Sequence, residues 1–84
     1  MRPRELGVLL EFARVAEKAR TWDQAEEALR WSILLYPEAP EPRRALIEMF
    51  LEKGEKQSAR KELDEYVRAL GKNSEAAAME QAIA

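Results

Sequence analysis

Carboxylates are the side chains of this sequence with the clearest potential for chemistry. They occur in pairs, which are Glu26–Glu27, Glu38–Glu41 and Glu48–Glu52. Paired carboxylates can serve as general acid and base, or they can bind a hard metal ion. The sequence contains no histidine and no cysteine, so the usual zinc ligands and a histidine-activated serine are missing. We therefore interpret the pairs as solvated helix faces, predict no catalytic residue, metal or cofactor, and expect a protein that is not an enzyme.

Charge and hydropathy narrow the class of protein further. The 84 residues include 14 basic and 16 acidic side chains, and the formal net charge of -2 gives no electrostatic case for a nucleic-acid partner. No apolar run approaches the roughly 20 residues that span a bilayer, so no membrane insertion is predicted. With no cysteine, the chain suits a reducing compartment, and a cytoplasmic location is expected.

The composition and the breaker residues predict five helices. Alanine, leucine, glutamate, lysine and arginine dominate the chain, and all are strong helix formers. The first helix is predicted from about Arg4 to Ala19. Its apolar stripe at helical spacing contains Leu6, Leu9, Leu10, Ala13 and Ala16, and Phe12, Val15 and Ala19 widen it.

Turn and cap signals place the other four helices. Thr21 and Gln24 form a capping-box pattern, which predicts a helix that begins near Trp22 and ends before Pro37. Residues 37–42 are predicted to be a short stiff linker, with Pro42 in the first turn of the third helix. Glycines should end the third and fourth helices, and a short fifth helix should be capped by Asn73 or by the serine after it. The glycines are Gly54 and Gly71.

The second half of the sequence repeats the first half at an offset of 34 residues. Ala25 is matched by Ala59, and Leu29 is matched by Leu63. Phe12, Ala13, Ala16 and Pro37 are matched by Leu46, Ile47, Phe50 and Gly71. A helix–turn–helix period of 34 residues is typical of the tetratricopeptide repeat.

The pattern resembles the tetratricopeptide family over about residues 6–71. Phe12, Ala13, Ala25, Leu29, Ser32 and Pro37 stand at its signature positions in the first unit, and Leu46, Phe50, Ala59 and Leu63 do so in the second. The departures are Ala16, Arg43, Ile47, Tyr66 and Gly71. The resemblance implies an all-α fold of two antiparallel helical hairpins in a right-handed solenoid, at residues 4–37 and 40–71. Residues 74–84 should then form a capping helix, unless a partner completes the core.

The resemblance also implies a groove lined by the first helix of each hairpin. Carried over by position, its residues would be Leu10, Arg14, Glu17, Lys18, Arg44, Glu48, Leu51 and Glu52. The alternative is a solvated face held by weak pairs such as Glu11–Arg14 and Arg44–Glu48. The family's clamp for a C-terminal carboxylate is not expected, because Leu10 and Arg14 stand where it has lysine and asparagine.

Trp31 and Leu34 lie off the main apolar stripe of the second helix. If both are exposed, they predict a partner surface, since tryptophan is enriched at binding hot spots. The alternative is that they pack against the following hairpin or the N-terminus.

A non-catalytic protein-interaction module is the function that the sequence favours. It would bind a peptide or helix of another protein, as adaptors, assembly factors and chaperone-type scaffolds do. Two alternatives stay open: a structural subunit that self-associates as a homodimer, and a docking fragment of a larger regulator.

Overall fold

A computed structural model describes residues 4–84 and contains five α-helices, α1 (Arg4–Lys18), α2 (Trp22–Leu35), α3 (Pro40–Glu52), α4 (Lys56–Leu70) and α5 (Ser74–Ile83). No strand occurs among these residues. The predicted all-α class and the number of helices are confirmed. Gly54 and Gly71 follow α3 and α4 with φ of 79° and 86°, a left-handed conformation that glycine adopts without a Cβ penalty.

Two local predictions about helix starts were wrong. The Thr21 side chain caps no backbone N–H, so the capping box does not form; its hydroxyl instead donates to the carbonyl oxygen of Ala16 at 3.1 Å. The linker before α3 is also shorter than predicted. Pro40 occupies the first position of α3, because proline at this position loses no intrahelical hydrogen bond, and Pro42 lies in the first turn, as predicted. At α5, the side chain of Asn73 accepts from the backbone N–H of Ala76 at 2.9 Å, as expected for a cap.

Helices that are adjacent in sequence pack against each other. Close contacts join α1 to α2, α2 to α3, α3 to α4 and α4 to α5. Tyr36, after the end of α2, donates from its hydroxyl to Glu5 at the start of α1 at 2.7 Å, so these two helices run in opposite directions. This hydrogen bond raises the pKa of Tyr36. The packing leaves α3 between α2 and α4, whereas α1 packs chiefly against α2.

One apolar core runs through all five helices. Its residues are Ala13, Ala16, Ala25, Ala28, Leu29, Leu46, Ile47, Met49, Phe50, Ala59, Leu63, Tyr66, Ala76, Met79 and Ile83. Several residues of this core in α1, α2 and α4 are alanines. Such small side chains allow two helices to approach each other closely. The bulky Ile47 and Tyr66, which depart from the family pattern, are fully buried.

The apolar stripe of α1 is only partly covered. The sequence predicted that Phe12, Val15 and Ala19 widen the buried face, but all three are exposed. Phe12 is 51% exposed and Val15 is 56% exposed. The prediction failed because helical periodicity identifies which side of a helix is apolar, and it does not show which part of that side a neighbour reaches.

Candidate functional site

A cavity of 630 Å³ lies between α1 and α3. Its lining includes five of the eight predicted groove residues, which are Leu10, Arg14, Glu17, Arg44 and Glu48. Leu10 is half-buried and packs against the core, so it forms an apolar floor beneath charged side chains. The cavity continues along the start of α3, where Pro40 and Ala45 line it, and reaches Glu75 of α5.

The other three predicted groove residues have different positions. Lys18 and Glu52 line a neighbouring depression of 360 Å³, which shares Arg14 and Glu17 with the main cavity. Leu51 lines neither of the two; it is half-buried and packs against the core. The apolar lining of the main cavity therefore includes Leu10, but it lacks the contribution that the sequence assigned to Leu51.

Three carboxylates face each other where the two depressions join. Burial raises the pKa of Glu17, and the negative charges of Glu52 and Glu48 raise it further. Within residues 4–84 none of these three carboxylates takes part in an ion pair. Lys18 and Arg20 line the same depression as Glu17 and Glu52, but neither forms an ion pair with them. Like charges that are held together without an ion-pair partner destabilise one another, so this end of the groove favours a positive ligand group.

The two arginines that line the main cavity already take part in ion pairs. Arg14 contacts Glu11 of its own helix at 2.9 Å, and Arg44 contacts Glu75 of α5 at 2.7 Å. The alternative interpretation of the sequence, a solvated face, paired Arg44 with Glu48, but the guanidinium of Arg44 donates to Glu75 instead. The main cavity therefore combines paired arginines with two carboxylates, Glu17 and Glu48, that form no ion pair among the described residues.

Glu75 is a charged residue of this site that the sequence did not single out. Besides Arg44, its carboxylate accepts a hydrogen bond from the hydroxyl of the fully buried Tyr66 at 3.1 Å. The amide of Asn73 in turn donates to that hydroxyl at 3.2 Å. Glu75 thus joins α3, α4 and α5. An acidic residue in the first turn of a helix is usually explained by its favourable interaction with the helix dipole. The position of Glu75 in the sequence therefore gave no sign of its contacts with Arg44 and Tyr66.

Trp31 and Leu34 are both exposed, at 53% and 67%, but they lie in two different depressions. Trp31 lines a depression of 370 Å³ together with Leu9 and Phe12 of α1. Leu34 lines another of 520 Å³ with charged residues of α3 and α4, among them Lys61. The two side chains therefore do not share one depression, and Trp31 adjoins the exposed Phe12 and the half-buried Leu9 of α1.

Residues 4–84 contain neither a cluster of metal ligands nor a helix that could cross a membrane. No group of three or more acidic side chains there is arranged to hold a metal ion. In the same range, no helix combines the length and the apolar character needed to cross a bilayer. Comparisons with models of protein families, with curated proteins and with solved structures gave no match.

Proposed function

We propose that this protein is a non-catalytic protein-binding module of two tetratricopeptide-like hairpins, α1–α2 and α3–α4, with α5 as the cap. Its binding site is the groove between α1 and α3, and its ligand is a peptide or helix of another protein. The proposal rests on the cavity that brings Leu10, Arg14, Glu17, Arg44 and Glu48 together from two helices that are separated in sequence. A cytoplasmic location remains part of the proposal.

The charges of the groove indicate the chemistry of the ligand. A lysine or arginine of the ligand would be placed among Glu17, Glu48 and Glu52, where a positive charge relieves the mutual repulsion of the carboxylates. An apolar ligand side chain would contact Leu10 in the floor. We therefore propose a ligand segment with a basic residue beside an apolar one, bound as helix-in-groove or extended peptide.

Selection from a library of displayed random peptides tests this proposal. Enriched peptides should carry a lysine or arginine, and they should bind the charge-reversed variant Glu48→Lys about tenfold or more weakly, which corresponds to about 1.4 kcal/mol. Glu48 is exposed, so its replacement should leave the fold intact. Asp64→Lys is the matched control, because Asp64 is an exposed acid of α4 outside the groove.

Two results would contradict the proposal. Peptides that bind Glu48→Lys as tightly as the unchanged protein would place the binding site elsewhere. Peptides that lose affinity equally for Glu48→Lys and Asp64→Lys would indicate a general response to net charge. Circular dichroism of both variants should show unchanged helix content, so that either result can be attributed to binding and not to unfolding.

Self-association is the second candidate function, and it is favoured by a separate observation. The exposed aromatic side chains Phe12 and Trp31 lie side by side on α1 and α2. The third candidate, a docking fragment of a larger regulator, has no observation of its own among the described residues.

A further inference from the structure

An apolar surface covers one side of the α1–α2 pair. We define this outer face by Val8, Phe12 and Val15 on α1 and by Trp31 and Leu35 on α2. The α1 residues follow the spacing of four and three that places side chains on one side of a helix. All five are between 42% and 63% exposed. Phe12 and Trp31 line one depression, which connects the contributions of the two helices.

The 34-residue repeat, on which the proposed function also rests, indicates which element covers the equivalent face in the second half of the chain. At this offset Val8, Phe12 and Val15 correspond to Pro42, Leu46 and Met49 of α3. Those three residues are all buried, and α3 is the helix that packs against α2 of the preceding pair. The apolar stripe of α3 is thus covered by a helical pair, while the equivalent stripe of α1 is exposed.

The opposite side of the helical stack is closed. There α5 packs against α4, and its Met79 and Ile83 are buried in the core. Ion pairs from Arg60 to Glu80 and from Arg44 to Glu75, both at 2.7 Å, hold α5 in place. Because α5 occupies the side that would receive the outer face of another copy, head-to-tail stacking of copies is blocked. Two copies that instead meet through their two outer faces have the geometry of a closed two-fold dimer.

The size and composition of the outer face suit a dimer. If a fully exposed aromatic side chain contributes about 200 Å² and an aliphatic one somewhat less, the five side chains leave on the order of 500 Å² of apolar surface. A specific interface buries about 800 Å² on each partner, of which the core is apolar and the rim polar. Gln24 and Glu27, which line the depression beside Phe12 and Trp31, supply polar groups for that rim.

We propose that the partner of the outer face is a second copy of this chain, in a two-fold dimer centred on Phe12 and Trp31. The interface lies outside the α1–α3 groove, so each copy keeps its groove open. The proposal rests on the 34-residue helical repeat that the proposed function also assumes, but its test does not depend on peptide binding.

Sedimentation equilibrium of the full chain, from low micromolar to near-millimolar concentration, tests the dimer. The unchanged protein should dimerise, and Phe12→Glu and Trp31→Glu should each weaken dimerisation about 100-fold or more, because each substitution places two charges in the apolar centre. Both sites are exposed, so the helix content should not change. Ala69→Glu is the matched control, since Ala69 is an exposed apolar residue of α4, where it corresponds to Leu35 at the 34-residue offset. It should dimerise like the unchanged protein.

Two outcomes would overturn the proposal. One is a monomer over the whole concentration range; the other is a dimer that Phe12→Glu and Trp31→Glu leave intact, which would place the interface on another surface. The two proposals can fail separately. Glu48→Lys should dimerise normally, and a monomeric Phe12→Glu should still bind the peptides selected on the groove.

Discussion

Replacing either of two buried alanines by leucine should destabilise the protein. Ala25 of α2 and Ala59 of α4 are both completely inaccessible to solvent, and they occupy equivalent positions at the 34-residue offset. Neither lines any of the cavities described above. The three additional carbon atoms of leucine therefore have no space unless neighbouring side chains leave their preferred rotamers or the helices move apart.

The expected cost follows from overpacking. Added methylene groups in a well-packed core cost about 1–3 kcal/mol. The intrinsic helix propensities of alanine and leucine differ by only a few tenths of a kcal/mol, so they do not mask this effect. A domain of this length is expected to have about 4–13 kcal/mol of total stability, and its melting temperature falls by about 4–8 °C for each kcal/mol lost. Each substitution should thus lower the melting temperature by roughly 5–20 °C.

Urea unfolding followed by circular dichroism is the assay. All proteins should be compared at one fixed concentration, because dimerisation would add to the apparent stability. Ala69→Leu and Ala77→Leu are the matched controls; both alanines are exposed, and both variants should stay within about 0.5 kcal/mol of the unchanged protein. Unchanged unfolding midpoints for Ala25→Leu and Ala59→Leu would refute the reasoning, since they would mean that the helices are not in close contact at these positions.

Two further predictions concern the site. Glu17→Gln should stabilise the protein at pH 7 by up to about 0.5 kcal/mol. Burial and the charges of Glu52 and Glu48 raise the pKa of Glu17, so the advantage should disappear as the pH falls toward its ordinary value of 4.5 and Glu17 takes up a proton; an equal advantage at every pH in the denaturation series would argue against this cause. Tyr66→Phe should cost about 1 kcal/mol in urea unfolding through the lost hydrogen bond to Glu75, and an unchanged midpoint would show that this bond contributes nothing.

Features encoded by neighbouring residues were predictable from the sequence. Apolar periodicity together with prolines and glycines identified all five helices. The sequence left the cap of α5 open between Asn73 and Ser74, and Asn73 is the residue that caps it. Thr21 shows the limit of such local patterns. A capping box requires a particular backbone conformation, and here Thr21 has φ of −91° and ψ of 74°, after Arg20 in a left-handed conformation with φ of 62°. The turn between α1 and α2 therefore directs the threonine hydroxyl back toward Ala16.

Features that depend on distant contacts were not predictable from the sequence. Arg44 and Glu75 are 31 residues apart, so neither spacing nor periodicity could show that they form an ion pair. The exposure of Phe12 was not predicted for the same reason, because it depends on which element lies beside α1. The family resemblance assigned Leu10 and Glu48 to one surface, and both residues line the cavity between α1 and α3. Its use by a ligand remains a prediction.

The carboxylate of Glu75 links the docking of α5 to the electrostatics of the groove. A helix of ten residues is too short to be stable by itself, so α5 should detach and redock as one local unfolding unit. Each detachment removes one negative charge from the groove lining and leaves Arg44 without its counter-ion. A basic ligand should therefore bind more tightly while α5 is docked, and by thermodynamic reciprocity its binding should slow hydrogen exchange in α5. Docking of α5 would then regulate how tightly the groove between α1 and α3 binds its ligand.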